Sequence, residues 1–134
     1  EVRDKRGFAY SVYSYVAPLR QAGPFQIGLQ TQRKQANEAI KVVRNVLADF
    51  EKSGPTAEEL QAAKANLTGS FPLRLDSNAK LLANVAMIGF YGLPLDYLEN
   101  YQKQVEAVTV DDIKRAFSRH VQAADLVTVM VAAD

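Results

Sequence analysis

The sequence predicts an α+β fold in which several helices pack on one face of a mainly antiparallel sheet. Three patterns indicate this fold: two strand-like stretches near the N-terminus, a long middle region with helical periodicity, and an apolar stretch near the C-terminus. The predicted order of elements is β-β-α-α-α-α-α-β. Three strands make a thin sheet for five helices, and the chain starts at Glu1 rather than at a methionine. We therefore expect residues 1–134 to form a single partial domain, truncated so that its sheet continues upstream.

The first two elements have the two-residue period of β-strands. Residues 8–16 are rich in aromatic and β-branched side chains, which favour strands, and residues 25–31 carry apolar side chains at every second position. A short loop that ends in Gly23 and Pro24 connects the two stretches. The pattern predicts an antiparallel hairpin.

The next three elements have the 3.6-residue period of helices. The first helix is predicted to end at Gly54 and Pro55, since glycine favours a helix end and proline cannot continue the helix. Thr56 and Glu59 have the spacing of a capping box and predict the start of a second helix, and Ser77 is predicted to cap a third. The side chains predicted to face inward on the first helix are Ala36, Ala39, Ile40, Val43, Val46, Leu47 and Phe50, and on the third Leu81, Leu82, Val85 and Ile88.

Two more helices and one strand complete the prediction. A fourth helix is predicted to start at Asp96, and a fifth to start within 109–112, where the acidic residues favour a helix N-terminus, and to end near His120. Residues 126–131 form a nearly continuous apolar run, which is typical of a strand that is buried on both faces.

The composition disfavours or excludes several classes of function. Because 16 Lys and Arg balance 15 Asp and Glu, the formal charge is only +1, which disfavours binding to nucleic acid. The absence of cysteine excludes disulfides, thiolate zinc sites and a cysteine nucleophile, and the single histidine, His120, leads us to expect no metal site on this chain. No apolar run reaches the roughly 18 residues of a membrane span. We expect a soluble protein, and the composition does not distinguish a periplasmic from a cytoplasmic location.

His120 and two pairs of adjacent carboxylates are the first candidates for chemistry. His120 is predicted at a helix C-terminus, where a cation is favoured, while a catalytic triad would need a neighbouring nucleophile that spacing does not reveal. The pairs Glu58-Glu59 and Asp111-Asp112 stand at helix starts. Neighbouring side chains on a helix point about 100° apart, so these carboxylates are predicted to cap helices rather than to form acid–base pairs.

Three tyrosines in the first strand are a second candidate. Tyr10, Tyr13 and Tyr15 could form a platform on which planar groups stack, although nucleic acid is disfavoured as the ligand because no basic groove accompanies them. The core of the sheet is the commoner place for such residues.

Arg3 and Tyr10 form the third candidate. Lys5 and Arg6 followed by Gly7 are typical of a helix C-terminus. If the chain reverses there, the Arg3 guanidinium and the Tyr10 phenol can approach each other and donate hydrogen bonds to a peptide carbonyl or to a developing oxyanion. The alternative is a surface arginine and a tyrosine in the core, and the spacing alone leaves both open.

The first twelve residues, EVRDKRGFAYSV, resemble the arginine–tyrosine motif of the insulinase/pitrilysin-type zinc metallopeptidases. This family, the inverzincins, includes the mitochondrial processing peptidases. The resemblance continues in the order of the family and covers essentially the whole chain. Its later segments are residues 56–60 with Ala63 and Lys64, residues 92–94 with Tyr97, and residues 108–113.

The resemblance implies that the work is divided between two homologous domains. In this family one domain carries the motif H-x-x-E-H and the zinc ion, and a zinc-free partner carries an arginine and a tyrosine that bind substrate and stabilise the transition state. Arg3 and Tyr10 match these two positions, and the sequence contains no H-x-x-E-H. The chain would then be the latter part of the zinc-free, C-terminal-type domain. Tyr10 would be catalytic, Arg3 and Tyr10 would bind substrate, and the chain would hold no metal or cofactor.

The implied function is that of the substrate-binding, zinc-free half of a zinc metalloendopeptidase. Such a chain hydrolyses peptide bonds only together with a homologous domain or subunit that carries H-x-x-E-H and zinc, so we expect it to be inactive alone. The alternative is a non-catalytic structural or peptide-binding subunit of the same fold, because possession of a fold does not establish activity. Nothing in the sequence supports an independent small-molecule enzyme.

Overall fold

The computed structural model describes residues 10–131, which form a β-hairpin followed by five α-helices. They divide into two compact units: a first unit of residues 10–54 and 114–131, and a second unit of residues 55–113. The strands are β1 (Ser11–Val16) and β2 (Phe25–Gln30), and the helices are α1 (Ala36–Ser53), α2 (Ala57–Gly69), α3 (Asn78–Tyr91), α4 (Tyr97–Ala107) and α5 (Val110–His120).

The predicted hairpin is confirmed. β1 and β2 pair antiparallel in a register that sets Ser11 opposite Gln30. At the open end of the loop, the Ala17 N–H donates to the Pro24 carbonyl oxygen at 3.0 Å. Gly23 is required in this loop because a Cβ atom there would lie 1.7 Å from the Ala17 carbonyl oxygen.

Helix α1 and the C-terminal part of α5 cover one face of the hairpin. Leu29 of β2 packs against the buried Val42 of α1. The Phe117 ring of α5 meets the Phe25 ring edge to face at a centroid distance of 6.0 Å, and the Phe50 ring of α1 at 4.9 Å. The core of the first unit therefore lies between the hairpin and these two helices.

The prediction for the buried face of α1 needs one correction. Ala36, Ala39 and Leu47 are buried as predicted, but Val46 is exposed and Val42 is buried. Helical spacing identifies an apolar stripe, whereas the position of β2 decides which edge of that stripe is covered.

The helices of the second unit begin where the capping signals place them. The Glu59 N–H donates to Thr56 Oγ1 at 3.1 Å and the Thr56 N–H donates to Glu59 Oε2 at 2.8 Å, which completes the predicted capping box of α2. Ser77 Oγ accepts from the Lys80 N–H at the start of α3. α3 ends at Gly92, whose φ of 64° lies in the left-handed region that favours glycine.

The inward face predicted for α3 is largely wrong. Of its four apolar residues predicted to be buried, only Ile88 is buried, and Leu81, Leu82 and Val85 are exposed. The apolar composition of α3 favours burial, but burial also needs a neighbouring surface, which the described residues do not provide for this face.

The final predicted strand is not seen among the described residues. Residues 126–131 have no regular secondary structure, and Val127 and Val131 are 89% and 93% exposed. Arg44 of α1 holds the start of this segment: one guanidinium nitrogen donates to the Leu126 carbonyl oxygen at 3.0 Å and to Thr128 Oγ1 at 2.9 Å. A strand requires a neighbouring ladder, and no described strand pairs with this segment.

Candidate substrate-contacting site

Tyr10 stands immediately before β1, with its backbone bound to the neighbouring strand. Its N–H donates to the carbonyl oxygen of Gln30 at 2.9 Å, and Gln30 is also the residue that pairs with Ser11 in the ladder. The residue is 89% exposed, so the alternative of a tyrosine in the core is wrong. The backbone that carries this phenol is held in place, and the phenol itself is open to solvent, as contact with an incoming ligand requires.

Arg3, the other predicted site residue, lies outside the described residues, as does the predicted chain reversal at Gly7. The approach of the Arg3 guanidinium to the Tyr10 phenol therefore remains a prediction.

The hairpin has a second face that points away from α1, and we call it the tyrosine face. The Tyr13 and Tyr15 rings stack at a centroid distance of 6.1 Å and an angle of 24° between their planes. These residues are 57% and 47% exposed, so the prediction that they belong to the core of the sheet is also wrong. The residues that form the tyrosine face are Ser11, Tyr13 and Tyr15 of β1, with Gln26, Gly28 and Gln30 opposite them on β2.

Polar contacts and one glycine hold the tyrosine face in place. The Tyr15 hydroxyl donates to Gln26 Oε1, and Ser11 Oγ donates to Gln30 Oε1 at 3.3 Å. Gly28 lies opposite Tyr13, and a Cβ atom at Gly28 would come within 2.4 Å of Tyr13 Cζ and Oη. The missing side chain of Gly28 therefore gives the Tyr13 ring its place on the sheet.

Sequence reasoning found these tyrosines but did not identify which face of the hairpin remains uncovered. The available signal was the alternation of Tyr13 and Tyr15 together with a glycine at the cross-strand position.

A groove of about 790 Å³ lies in the first unit between β2, α1 and the segment 126–131, and Tyr13 of β1 also lines it. Its described lining is mainly apolar and includes no histidine or carboxylate. The Arg44 guanidinium lies in this groove and is engaged with the segment 126–128. Such a lining can accommodate apolar groups, but it offers no acid, base or nucleophile pair.

His120 and the carboxylate pairs occupy the ends of helices. His120 is the exposed last residue of α5, as predicted for a cation at a helix C-terminus. Glu59 caps α2, and Asp112 caps the start of α5 by accepting from the Thr109 N–H at 2.9 Å. Within residues 10–131 no group of three histidine or acidic side chains is arranged to hold a metal ion.

None of the helices in the described part of the chain is long and apolar enough to cross a membrane.

Comparison with known proteins identifies the family. The sequence model of the family described as the peptidase M16 inactive domain matches residues 1–67. A crystal structure of a peptidase M16 inactive domain from Pseudomonas fluorescens superimposes with a TM-score of 0.84 at 41% identity, over 91% of this chain and 29% of that one. A protease from Helicobacter pylori shares the fold, with a TM-score of 0.73 at 22% identity over 92% of this chain and 30% of that one.

Curated relatives carry two kinds of name. An uncharacterized zinc protease of Streptomyces coelicolor is 31% identical over 90% of this chain. The non-peptidase homolog YmxG of Helicobacter pylori is 28% identical over 98% of this chain. The chain spans only 26% and 30% of the lengths of these two relatives. Because the match to the M16 inactive domain extends over half of the sequence, the chain belongs to the peptidase M16 family as its inactive, C-terminal-type domain.

Proposed function

We propose that this chain belongs to the substrate-binding, zinc-free half of a zinc metalloendopeptidase. It would act with a homologous domain or subunit that carries H-x-x-E-H and the zinc ion. The observation that carries the proposal is the placement of Tyr10, which matches the tyrosine of the family motif and stands open to solvent on a backbone held by β2. Relatives that are named zinc proteases support a proteolytic role.

Tyr10 supplies a hydrogen-bond donor to the reacting peptide. As the scissile carbonyl becomes tetrahedral, negative charge develops on its oxygen, and a phenolic O–H directed at that oxygen stabilises the transition state more than the ground state. The bond from the Tyr10 N–H to Gln30 restricts the base of the side chain, so less reorganisation is needed when the substrate arrives. Arg3 would position the peptide through its forked N–H donors.

Zinc on the partner would supply the activated water. This chain contributes binding and orientation, which explains why an inactive domain can be needed for hydrolysis. The chain alone would have no peptidase activity.

The test is the substitution Tyr10→Phe in the full-length protein assembled with its zinc-bearing partner. The change keeps the ring and removes only the hydroxyl, so we expect kcat for a peptide substrate to fall about 10- to 1000-fold, as for one lost oxyanion donor. Tyr97→Phe in α4 is the matched control and should leave kcat unchanged. If Tyr10→Phe also leaves kcat unchanged, the catalytic role of Tyr10 is wrong.

The second candidate is a non-catalytic structural or peptide-binding subunit. The relative named a non-peptidase homolog, which aligns with almost the whole chain, favours it. The two candidates differ in one feature of the genome: the proteolytic function requires H-x-x-E-H elsewhere in the full-length protein or in a neighbouring homologous gene. If neither contains this motif, the non-catalytic function replaces the proteolytic one.

A further inference from the structure

We propose that the tyrosine face binds an extended, uncharged segment of the peptide substrate through aromatic side chains at alternate positions. This inference rests on the proposed function, and it assigns Tyr13 and Tyr15 as determinants of substrate specificity. They would act beyond the site of bond cleavage, and neither would take part in the chemical step.

The spacing of the two rings matches that of an extended peptide. Alternate side chains of a strand point to the same side and lie about 6.6 Å apart along the chain. The centroids of the Tyr13 and Tyr15 rings are 6.1 Å apart, and their planes are close to parallel. Two successive same-side aromatic groups of a bound peptide can therefore each contact one tyrosine ring, in the offset or edge-to-face geometry that aromatic pairs favour.

The chemistry of the face selects against charge in the ligand. The six side-chain positions of the tyrosine face carry hydroxyl, amide and aromatic groups or a glycine, and none is charged. A charged ligand group would lose hydration there without meeting an opposite charge. The side-chain carbonyl oxygens of Gln26 and Gln30 already accept hydrogen bonds within the face, and their amide N–H groups can donate to the carbonyl oxygens of a peptide backbone.

The tyrosine face adjoins the backbone of the proposed catalytic residue, Tyr10. Gln30 accepts from the Tyr10 N–H through its carbonyl and from Ser11 Oγ through its side chain, so one residue of β2 supports both places. Tyr13 follows Tyr10 by three residues, at most about 10 Å of extended chain.

Gly28 provides a variant that tests the position of a ring without removing it. Gly28 does not have a positive φ, so alanine is compatible with its backbone. The alanine Cβ would, however, meet the outer end of the Tyr13 ring at 2.4 Å and push this flexible side chain from its place. Gly28→Ala therefore moves the Tyr13 ring on the tyrosine face while every aromatic group remains present.

The experiment is a titration of the full-length protein with a capped, uncharged decapeptide that has tryptophan and phenylalanine at alternate positions. Residues 1–134 contain no tryptophan, so this part of the protein adds no background to the tryptophan emission of the probe. We expect Tyr13→Ala and Tyr15→Ala each to raise Kd about 2- to 12-fold, the range of one lost aromatic pair, and Gly28→Ala to raise it also. Phe90→Ala, which removes an exposed aromatic ring from α3, is the matched control and should leave Kd unchanged.

Several results separate this inference from the proposed function. A peptide with serine at the aromatic positions that displaces the tryptophan probe as well as an aromatic peptide does, or Tyr13→Ala and Tyr15→Ala variants with unchanged Kd, would overturn the inference. Competition by an uncharged oligosaccharide but not by unlabelled aromatic peptide would overturn it as well. If these variants keep the Kd of the unaltered protein while Tyr10→Phe lowers kcat, the inference fails and the proposed function stands. If these variants weaken binding of the probe while Tyr10→Phe leaves kcat unchanged, the tyrosine face binds peptide as proposed and the catalytic role of Tyr10 is wrong.

Discussion

Arg44 gives the sharpest prediction about stability, because one side chain joins α1 to a segment about 80 residues later in the chain. Its guanidinium donates to the Leu126 carbonyl oxygen at 3.0 Å, to Thr128 Oγ1 at 2.9 Å, and more weakly to the Ala123 carbonyl oxygen at 3.4 Å. Arg44→Met keeps much of the apolar stem and removes all three bonds. The segment 126–131 has no described strand partner, so these bonds are its main polar attachment among the described residues.

The magnitude follows from the two shorter bonds. A hydrogen bond to a charged group contributes about 1.5–3 kcal/mol when it is well shielded, and partial exposure of Arg44 lowers this contribution. We expect Arg44→Met to lower the free energy of unfolding by about 1–3 kcal/mol. Thr128→Val removes one acceptor only. In a double-mutant cycle the two substitutions should show a coupling energy of about 1 kcal/mol, because they share one bond.

The assay is urea denaturation combined with hydrogen exchange of the backbone amides. Arg44→Met should accelerate exchange in residues 123–131 more than in α2 or α4, because the attachment it removes is local. Lys41→Met is the control on the same helix: its ion pair with Glu38 is 3.7 Å long and exposed, so its loss should change stability by less than about 0.5 kcal/mol. Equal stability and equal exchange in Arg44→Met and in the unaltered protein would refute the reasoning.

Two further predictions concern the second unit. Thr56→Ala removes one half of the capping box of α2 and should lower the free energy of unfolding by about 0.5–2 kcal/mol, whereas Thr56→Ser should retain most of the stability. An unchanged free energy of unfolding for Thr56→Ala in urea denaturation would contradict the capping role. Lys64 is 7% exposed, and its Nζ donates to the Glu106 carbonyl oxygen near the C-terminus of α4 at 2.6 Å. Lys64→Met should lower stability by about 1–3 kcal/mol and the exposed control Lys103→Met by much less, so equal urea midpoints for the two variants would count against a buried, helix-capping lysine.

Local signals in the sequence were sufficient for the helices and the hairpin. A capping box joins residues three apart, and Gly23 is required by an atom only six residues away, so both can be recognised without knowledge of the rest of the molecule. The order of two strands and five helices follows from such signals. The family resemblance likewise rests on short segments in a fixed order.

Burial depended on neighbours that the sequence pattern does not contain. Residues 126–131 have the composition of a buried strand, yet residues 127–131 are exposed because no described strand lies beside them. Leu82 and Val85 on α3 are exposed for a corresponding reason: no surface among the described residues covers them.

The candidate site was predictable only in part, because the sequence shows which residues share a face but not which face is covered. Alternation shows that Tyr13 and Tyr15 share a face, but only the packing of Leu29 against α1 shows that the opposite face is the covered one. Tyr10 was identified through its motif, whereas its exposure could be learned only from the structure.

The measurement that tests the central claim most directly is peptide hydrolysis by the zinc-bearing half, with and without the half that contains residues 1–134. The comparison applies whether the two halves are separate subunits or separable domains of one protein. We predict that addition of the zinc-free half raises the rate by about 100-fold or more, since it supplies at least one oxyanion donor, and that a Tyr10→Phe half restores much less activity. The same rate with and without the zinc-free half would contradict the account.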